Sequence, residues 1–156
     1  MAMVDTPVGG LRVRLSGDVI IETDWARDED NPVSASPLVS ETILGYWENP
    51  RVPVPVKLFR RGTAFQFKIW QHLIAIKFGD TPTYKALAAR AATAPRAVGG
   101  ACRDNPFPLL IPCHRVLSTA GWGGYAGQTH GRLVDIKRNL VEFERTYSNG
   151  PSPGID

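Results

Sequence analysis

Cysteine is scarce in this chain of 156 residues, where Cys102 and Cys113 are the two copies. They do not form a CxxC motif, and the three histidines do not stand at zinc-ligand spacing from them. A disulfide framework needs more cysteines and an oxidising compartment, so we expect two reduced thiols. The sequence therefore predicts neither a disulfide-stapled domain nor a structural metal site.

Long apolar runs are also missing. No stretch of about 18 apolar residues is present, which argues against a membrane-spanning helix. The opening MAMVDTPVGGLRVRL lacks the basic segment followed by an apolar segment that is typical of a secretory signal. We therefore expect a cytoplasmic protein without a membrane partner.

The net charge of +3 conceals an asymmetry along the chain. Residues 1–56 hold 4 Lys/Arg and 9 Asp/Glu, a balance of −5, whereas residues 57–156 hold 14 and 6, a balance of +8. A basic face suits a polyanion such as nucleic acid. A solvated surface that keeps the protein soluble explains the charge equally well, so charge alone leaves both interpretations open.

The N-terminal part combines strands with one helix. In residues 9–25, apolar residues at every second position from Leu11 to Leu15 precede the turn SGD, and the apolar run VII follows it, which is typical of a β-hairpin. Residues 26–37 are polar and contain two prolines, so we predict a loop, and residues 37–49 have apolar positions at helical spacing. The proline-punctuated residues 50–62 predict an extended linker at a domain boundary.

Four helices are predicted after this linker. Thr63 caps the first, with a glutamine three residues on in a capping-box arrangement. Thr81 or Thr83 caps a short second helix, and the third, residues 94–105, follows so closely that the pair is typical of a helix-turn-helix. Residues 131–147 form the fourth, an amphipathic helix.

These elements predict an α+β fold. A small domain of sheet and helix, residues 1–58, precedes a mostly helical domain, residues 59–147, which holds the helix-turn-helix and the loop of Cys113. Residues 148–156 predict a flexible tail.

Two adjacent glycines interrupt the predicted third helix. Gly99 and Gly100 cost about 1 kcal/mol each relative to alanine there, so another surface must approach that backbone closely. Tight packing against a neighbouring helix is one explanation. The other is a low surface of small residues, including Ala97 and Gly100, that fits a DNA groove, and the flanking Arg96 and Arg103 favour it.

The segment IPCHRV presents a thiol in a shaped loop. Pro112 has a fixed φ and no N–H, so Cys113 does not lie inside a regular strand. A free thiol has a pKa of about 8.5 and needs a base to become a nucleophile. His114 reaches it only through a turn or a bridging water, with Glu142 and Glu144 as candidates to orient the ring. A buried, inert cysteine is the simpler alternative.

The order of six motifs resembles one DNA-repair family. GTAFQFKIWQHL, GDTPTYKALA, RAVGGACRDNP, IPCHRV, GGYAG and KRNLVEFE follow one another at approximately the spacing of the O6-alkylguanine-DNA alkyltransferases. The resemblance covers residues 61–144, slightly over half of the chain. It implies direct reversal of DNA damage, in which an alkyl group passes irreversibly from O6-alkylguanine, and from O4-alkylthymine, to the protein's own cysteine.

The resemblance also implies which residues carry out the chemistry. Cys113 would attack the alkyl carbon and keep the group as a thioether. His114 would remove the thiol proton through a water, and Glu144 would orient His114. Asn105 would fix the turn before the cysteine loop, and Tyr84 would donate toward the guanine ring as the base leaves.

Contacts with DNA follow from the same resemblance. Arg96 would enter the duplex through the minor groove and fill the gap left by the flipped-out base. The resemblance implies no cofactor and no metal. The expected partner is double-stranded DNA that contains the alkylated base. We expect a monomer, and cooperative binding along DNA is left open. The residues implied to bind substrate or DNA are Tyr84, Arg96, Ala97, Gly100, Arg103, Arg115, Val116, Tyr125 and Ala126.

Three departures from the family pattern affect these expectations. Between Tyr84 and Arg96 the chain is about two residues shorter than the pattern, which bears on the aim of Arg96. The extra residues QTHGR lengthen the loop after GGYAG and bear on the tolerance for bulky alkyl groups. The N-terminal part resembles a reduced version of the family's ribonuclease H-like domain.

Three rival functions remain at this point. An alkyltransferase-like lesion-binding protein lacks the reactive cysteine, often carrying tryptophan there, so Cys113 disfavours it. A helix-turn-helix regulator commonly has a dimerisation element, and none is apparent. A cysteine hydrolase using Cys113, His114 and Glu144 would turn over an ester or a peptide. Cys102 is interpreted as structural.

Overall fold

The computed structural model describes residues 2–27, 30 and 33–149. It has the predicted α+β fold, and no helix in this part of the chain is long and apolar enough to cross a membrane. In chain order the elements are β1 (Ala2–Thr6), β2 (Gly9–Ser16), β3 (Val19–Trp25), β4 (Val33–Ser34), α1 (Pro37–Glu48), β5 (Lys57–Leu58), α2 (Ala64–Ile74), α3 (Tyr84–Arg90), α4 (Pro95–Arg103), a 3-10 helix (Cys113–Arg115) and α5 (Arg132–Asn149).

The N-terminal sheet has five strands in the order β4-β1-β2-β3-β5. β2 and β3 form the predicted antiparallel hairpin, in which Leu11 stands opposite Trp25. β1 pairs with β2 in antiparallel orientation, whereas β4 and β5 pair in parallel with β1 and β3. Val4, Leu11, Val13 and Ile20 are buried, so one face of the sheet packs on the core.

Two helices begin at caps that the sequence predicts. The Thr63 hydroxyl accepts from the Gln66 N–H at 3.1 Å, and the Gln66 side chain accepts from the Thr63 N–H at 3.0 Å, which completes the capping box of α2. Of the two candidates for α3, Thr83 is the cap, since its hydroxyl accepts from the Ala86 N–H at 3.0 Å. α1 spans all but the last residue of its predicted range, 37–49.

α3 and α4 form the predicted helix-turn-helix. The turn between them includes Ala92, which has φ of 55°, and Pro95 occupies the first turn of α4. α4 is shorter than the predicted range, 94–105. It is linked to α2 by a hydrogen bond from the Trp70 indole to the Ala101 carbonyl at 2.9 Å. α5 continues to Asn149, so the first two residues of the predicted tail are helical, and the remaining ones, 150–156, lie outside the described residues.

The edge of β3 connects the sheet to the segment before the cysteine. β5 pairs only with Val19 and Ile20, which leaves the rest of this edge open to other partners. On this edge, Thr23 makes two hydrogen bonds to the segment before Cys113. Its N–H donates to the Pro106 carbonyl at 3.0 Å, and its hydroxyl donates to the Pro108 carbonyl at 3.0 Å. The sheet therefore helps to fix the backbone that leads to the loop of Cys113.

Candidate active site

Cys113 lies in a loop that Asn105 holds in place. Cys113 begins the 3-10 helix directly after Pro112 and is 3% exposed. The Asn105 amide donates to the Ile111 carbonyl at 3.0 Å and to the Cys113 Sγ at 3.2 Å. The Asn105 oxygen accepts from the Phe107 N–H at 2.8 Å. One asparagine therefore fixes both the loop and the sulfur.

The environment of Cys113 favours the neutral thiol. Burial raises the pKa of Cys113, while the hydrogen bond from Asn105 and the positive charge of Lys137 act in the opposite direction without cancelling it. The thiolate is the nucleophilic form of cysteine. A base must therefore take the proton before this sulfur can react.

His114 and Glu144 form a buried pair that can supply this base. His114 Nε2 lies 2.8 Å from Glu144 Oε2, and His114 is fully buried. The other ring nitrogen, Nδ1, has no hydrogen-bond partner among the residues that the structure describes. Because the carboxylate occupies Nε2, Nδ1 is the ring atom that is available to accept a proton.

Three further hydrogen bonds hold Glu144 in its ionised form. Arg115 donates from Nε to Oε1 at 2.8 Å and from Nη2 to Oε2 at 3.2 Å, and the Tyr46 hydroxyl donates to Oε2. Burial raises the pKa of Glu144, but His114 and Arg115 outweigh burial and lower that pKa to about 2. Glu144 is therefore an oriented anion at neutral pH.

Arg115 belongs with Glu144 and not with a DNA-binding surface. The sequence predicts it among the DNA-binding residues, but it is 9% exposed, and its guanidinium also donates to the Ile76 carbonyl at 3.4 Å. In a 3-10 helix, successive side chains point about 120° apart. Arg115, two residues after Cys113, therefore does not point to the same side, and its burial against Glu144 corrects the prediction.

A cavity of about 510 Å³ opens at Cys113. α4 forms one wall and residues 124–129 form another, and Tyr84 and Cys113 complete the lining. We call it the Cys113 cavity. Its lining residues are Tyr84, Pro95, Arg96, Gly99, Cys102, Arg103, Cys113, Gly124, Tyr125, Ala126, Gly127, Gln128 and Thr129.

Most of the residues predicted to bind substrate or DNA lie at this cavity, but not all of them. Val116 is fully buried and does not line it, and its N–H donates to the Cys113 carbonyl at 3.3 Å. Ala97 and Gly100 of α4 do not line the cavity. Gly99, which was not predicted to bind DNA, does line it. The predicted residues that do line the cavity are Tyr84, Arg96, Arg103, Tyr125 and Ala126.

The glycines of α4 are not required by packing inside the protein. A Cβ on Gly99 would meet no atom of the described residues within 4 Å, and a Cβ on Gly100 would meet only the Arg103 guanidinium, at 3.8 Å. Tight packing against a neighbouring helix is therefore the wrong explanation for these two positions. Their open side favours the other explanation, a partner that approaches α4 from outside.

Tyr84 and Lys137 meet beside the cavity at the Gly124 carbonyl. Tyr84 donates to this oxygen at 3.3 Å and Lys137 Nζ at 2.9 Å, and Nζ lies 3.5 Å from the Tyr84 hydroxyl. Burial raises the pKa of Tyr84 and lowers the pKa of Lys137 to about 8. Sequence reasoning missed Lys137, although a lysine on the apolar face of an amphipathic helix signals a buried partner.

Two other contributors were beyond local sequence signals. Tyr46 reaches Glu144 across 98 positions, and Trp25 donates from its indole to the Tyr125 hydroxyl at 2.9 Å across 100 positions. Cys102, interpreted from sequence as structural, also lines the Cys113 cavity. In the described part of the chain, no group of three or more His, Cys, Asp or Glu side chains is arranged to hold a metal ion.

Fold and site together define a class of protein: a helix-turn-helix protein whose second helix borders a cavity with a cysteine, next to a buried histidine–glutamate pair. The family model described as 6-O-methylguanine DNA methyltransferase, DNA binding domain, matches residues 64–146. The chain belongs to the O6-methylguanine-DNA methyltransferase family.

The similarity to individual relatives extends over nearly the whole chain. The methylated-DNA–protein-cysteine methyltransferase of Metallosphaera sedula is 31% identical over an alignment of 153 residues that covers 94% of each chain. The crystal structure of the O6-methylguanine methyltransferase of Mycobacterium tuberculosis gives a TM-score of 0.78 at 28% identity, over 97% of this chain and 94% of that one. The Mycobacterium tuberculosis OGT in complex with DNA gives 0.76 at 29% identity, over 93% and 92%.

Proposed function

We propose that this protein repairs DNA by direct reversal, taking an alkyl group from O6 of guanine onto Cys113. The observation that carries the proposal is a cysteine in an open cavity, with a buried histidine–glutamate pair beside it and α4 along the rim. The names of the relatives, methylated-DNA–protein-cysteine methyltransferase, support the same reaction. The family model is that of a DNA-binding domain, which supports DNA as the partner.

His114 is the base that removes the thiol proton, acting through one bridging water. Its Nε2 faces Glu144, so the proton arrives at Nδ1 and the ring becomes positively charged. The ionised Glu144 stabilises this charge. Arg115 and Tyr46 keep Glu144 in the orientation that the ring needs.

The sulfur anion of Cys113 then displaces the base from the alkyl carbon. The S–C bond forms as the C–O6 bond breaks, and the departing guanine takes a proton from Tyr84 at a ring nitrogen. Lys137 returns a proton to the Tyr84 oxygen, which lies 3.5 Å from its Nζ. A thioether has no easy hydrolytic exit, so each molecule acts once, and the transfer uses no cofactor.

The alkylated nucleotide must leave the helical stack before Cys113 can reach it. Unstacking costs a few kcal/mol, and Arg96, exposed at the rim of the cavity, offsets part of that cost by filling the gap. The small residues of α4, such as Gly99, permit close approach in the minor groove. Minor-groove contacts carry little sequence information, which suits a protein that finds lesions in any sequence.

The chemistry also favours a second substrate and a cellular site. O4-alkylthymine offers the same type of oxygen–alkyl bond on a flipped base, so we include it among the substrates. The reaction consumes a reduced thiol, and both cysteines are free. Thiols stay reduced in the cytoplasm, where we expect the protein to act.

Intact-protein mass spectrometry tests the proposal. After incubation with a duplex that contains O6-methylguanine, the protein should gain about 14 Da, located in the peptide of Cys113. Cys113→Ala should gain nothing while still binding the duplex, and Cys102→Ala, the matched control, should gain the same mass as the wild type. An unmodified wild-type protein, or one molecule that repairs many lesions, would contradict the proposal.

A further inference from the structure

One wall of the Cys113 cavity is a tight turn that is closed by two hydrogen bonds. The Tyr125 N–H donates to the Gln128 carbonyl at 2.8 Å, and the Gln128 N–H donates back to the Tyr125 carbonyl at 3.0 Å. Between them, Ala126 has φ of 50° and Gly127 has φ of 88°, as in a type I′ turn. All four residues line the cavity. The position of this turn relative to α4 therefore decides how much room the cavity offers.

The turn is anchored by a residue of the N-terminal sheet. Tyr125 is 3% exposed, and its hydroxyl accepts from the indole N–H of Trp25 at 2.9 Å. Trp25 is 4% exposed and ends β3, where it pairs with Leu11 in the middle of the sheet. The indole therefore has little freedom, and the sheet dictates where the Tyr125 ring lies.

Loss of the hydrogen bond between Trp25 and Tyr125 would reduce the space in the Cys113 cavity. The bond to Trp25 ties the Tyr125 side chain to the sheet, so the ring is free to shift into adjacent space when either partner of the bond is lost. The Cys113 cavity is such a space, because Tyr125 already lines it. A ring that turns inward takes space from a large alkyl group, whereas a methyl group next to Cys113 needs little of this space.

We propose that Trp25 is a positioning residue that sets, through the Tyr125 hydroxyl, the size of alkyl group that the Cys113 cavity accepts. This inference rests on the proposed alkyl transfer to Cys113. Trp25 touches neither the sulfur nor the departing base, so it acts on the reaction only by placing the wall.

The test compares two substrates that differ only in alkyl size. Single-turnover rates are measured on the same duplex with either O6-benzylguanine or O6-methylguanine, for wild type and Trp25→Phe. Trp25→Phe should lower the benzyl-to-methyl rate ratio about tenfold and leave the methyl rate nearly unchanged, as expected for a change in pocket shape. A general loss of structure would instead lower both rates together.

Three variants distinguish the hydrogen bond from other effects. Trp47→Phe is the matched control, since the Trp47 indole N–H has no partner among the described residues, and its ratio should equal that of the wild type. Tyr125→Phe removes the same bond from the other side and should lower the ratio similarly. The double variant of Trp25 and Tyr125 should show no further change.

The outcomes separate this inference from the proposed function. An active wild type whose ratio is unaffected by Trp25→Phe, or an additive double variant, overturns the role of Trp25 alone. Should Trp25→Phe not fold, Tyr125→Phe decides by itself, and an unchanged ratio overturns the inference. A wild type that transfers neither group to Cys113 overturns the proposed function instead.

Discussion

Replacement of Lys137 with methionine is expected to stabilise the protein and to slow alkyl transfer. Lys137 is fully buried in α5, and its ammonium donates to the Gly124 carbonyl and lies near the Tyr84 hydroxyl, both of them uncharged. Burial lowers the pKa of Lys137 from its ordinary 10.5 to about 8. At pH 7 the folded protein therefore holds a positive charge at a cost in free energy, and methionine fills the same space without the charge.

The size of the effect follows from the pKa. The difference between 10.5 and about 8, at about 1.4 kcal/mol for each pKa unit, makes folding about 3 kcal/mol less favourable at pH 7. Methionine removes the Lys137 hydrogen bond to the Gly124 carbonyl, which keeps only the longer bond from Tyr84 at 3.3 Å, and this loss costs about 1–2 kcal/mol. The free energy of unfolding of Lys137→Met should therefore exceed that of the wild type by about 1–2 kcal/mol at pH 7.

The pH dependence has a definite sign. The unfolded chain binds the proton of Lys137 more tightly than the folded protein does, so the wild type gains stability from this group as pH rises from about 8 to 10.5. Lys137→Met lacks that gain. The advantage of the variant should therefore shrink at high pH.

Urea denaturation at pH 7 and at high pH measures the stability difference, and single-turnover transfer at pH 7 measures the rate. The rate should fall by about 10–100-fold, because Lys137 supplies both a proton and a positive charge near the sulfur. Lys68→Met, which changes an exposed lysine of α2, is the control and should alter neither quantity. A Lys137→Met protein that is less stable than the wild type at pH 7 and keeps its pH dependence would refute the reasoning.

Three further predictions concern the remaining parts of the site. Arg96→Ala should slow transfer from duplex DNA much more than from the free alkylated base, since only a duplex leaves a gap to fill, and equal losses would contradict this role. Glu144→Gln should flatten the acid dependence of stability: the pKa of Glu144 is about 2 against an ordinary 4.5, so its stabilisation of about 3 kcal/mol is present above pH 4.5 and is lost as pH falls through 2. Urea denaturation at several pH values measures the free energy of unfolding of both proteins. An identical dependence on pH in the two would rule out this role of Glu144. Asn105→Ala removes a donor to the Cys113 Sγ, so the pH–rate profile of transfer should move to higher pH, and an unmoved profile would speak against it.

Local signals predicted the elements that depend on local interactions. The capping box at Thr63 fixed the start of α2, because both of its hydrogen bonds join residues three apart. β1, β4 and β5 carried no comparable signal. β4 and β5 are two residues long and pair in parallel with strands that lie far away in the chain, so register and burial exist only after the sheet has formed.

The same division applies to the site. Cys113, His114 and Glu144 could be predicted from the motif IPCHRV and the last helix, because the resemblance to the family rests on the order and spacing of these motifs. Trp25 and Tyr46 could not be found in this way, since their roles depend on hydrogen bonds that span about 100 residues. Arg115 was misplaced for a related reason: order along the chain does not give the direction of side chains in a 3-10 helix.

Glu144 and Lys137, two of the buried charged residues near Cys113, are affected by their surroundings in opposite ways. Glu144 accepts from three side chains, and its charged form is stabilised, whereas the charged form of Lys137 is disfavoured by burial. A Cys113 thiolate changes this balance, because its negative charge raises the pKa of Lys137 while Lys137 lowers that of the thiol. The cost of burying Lys137 is therefore recovered only when the Cys113 thiol loses its proton. An interaction that becomes favourable at the reactive step, and not before it, lowers the barrier to reaction without tightening the resting state.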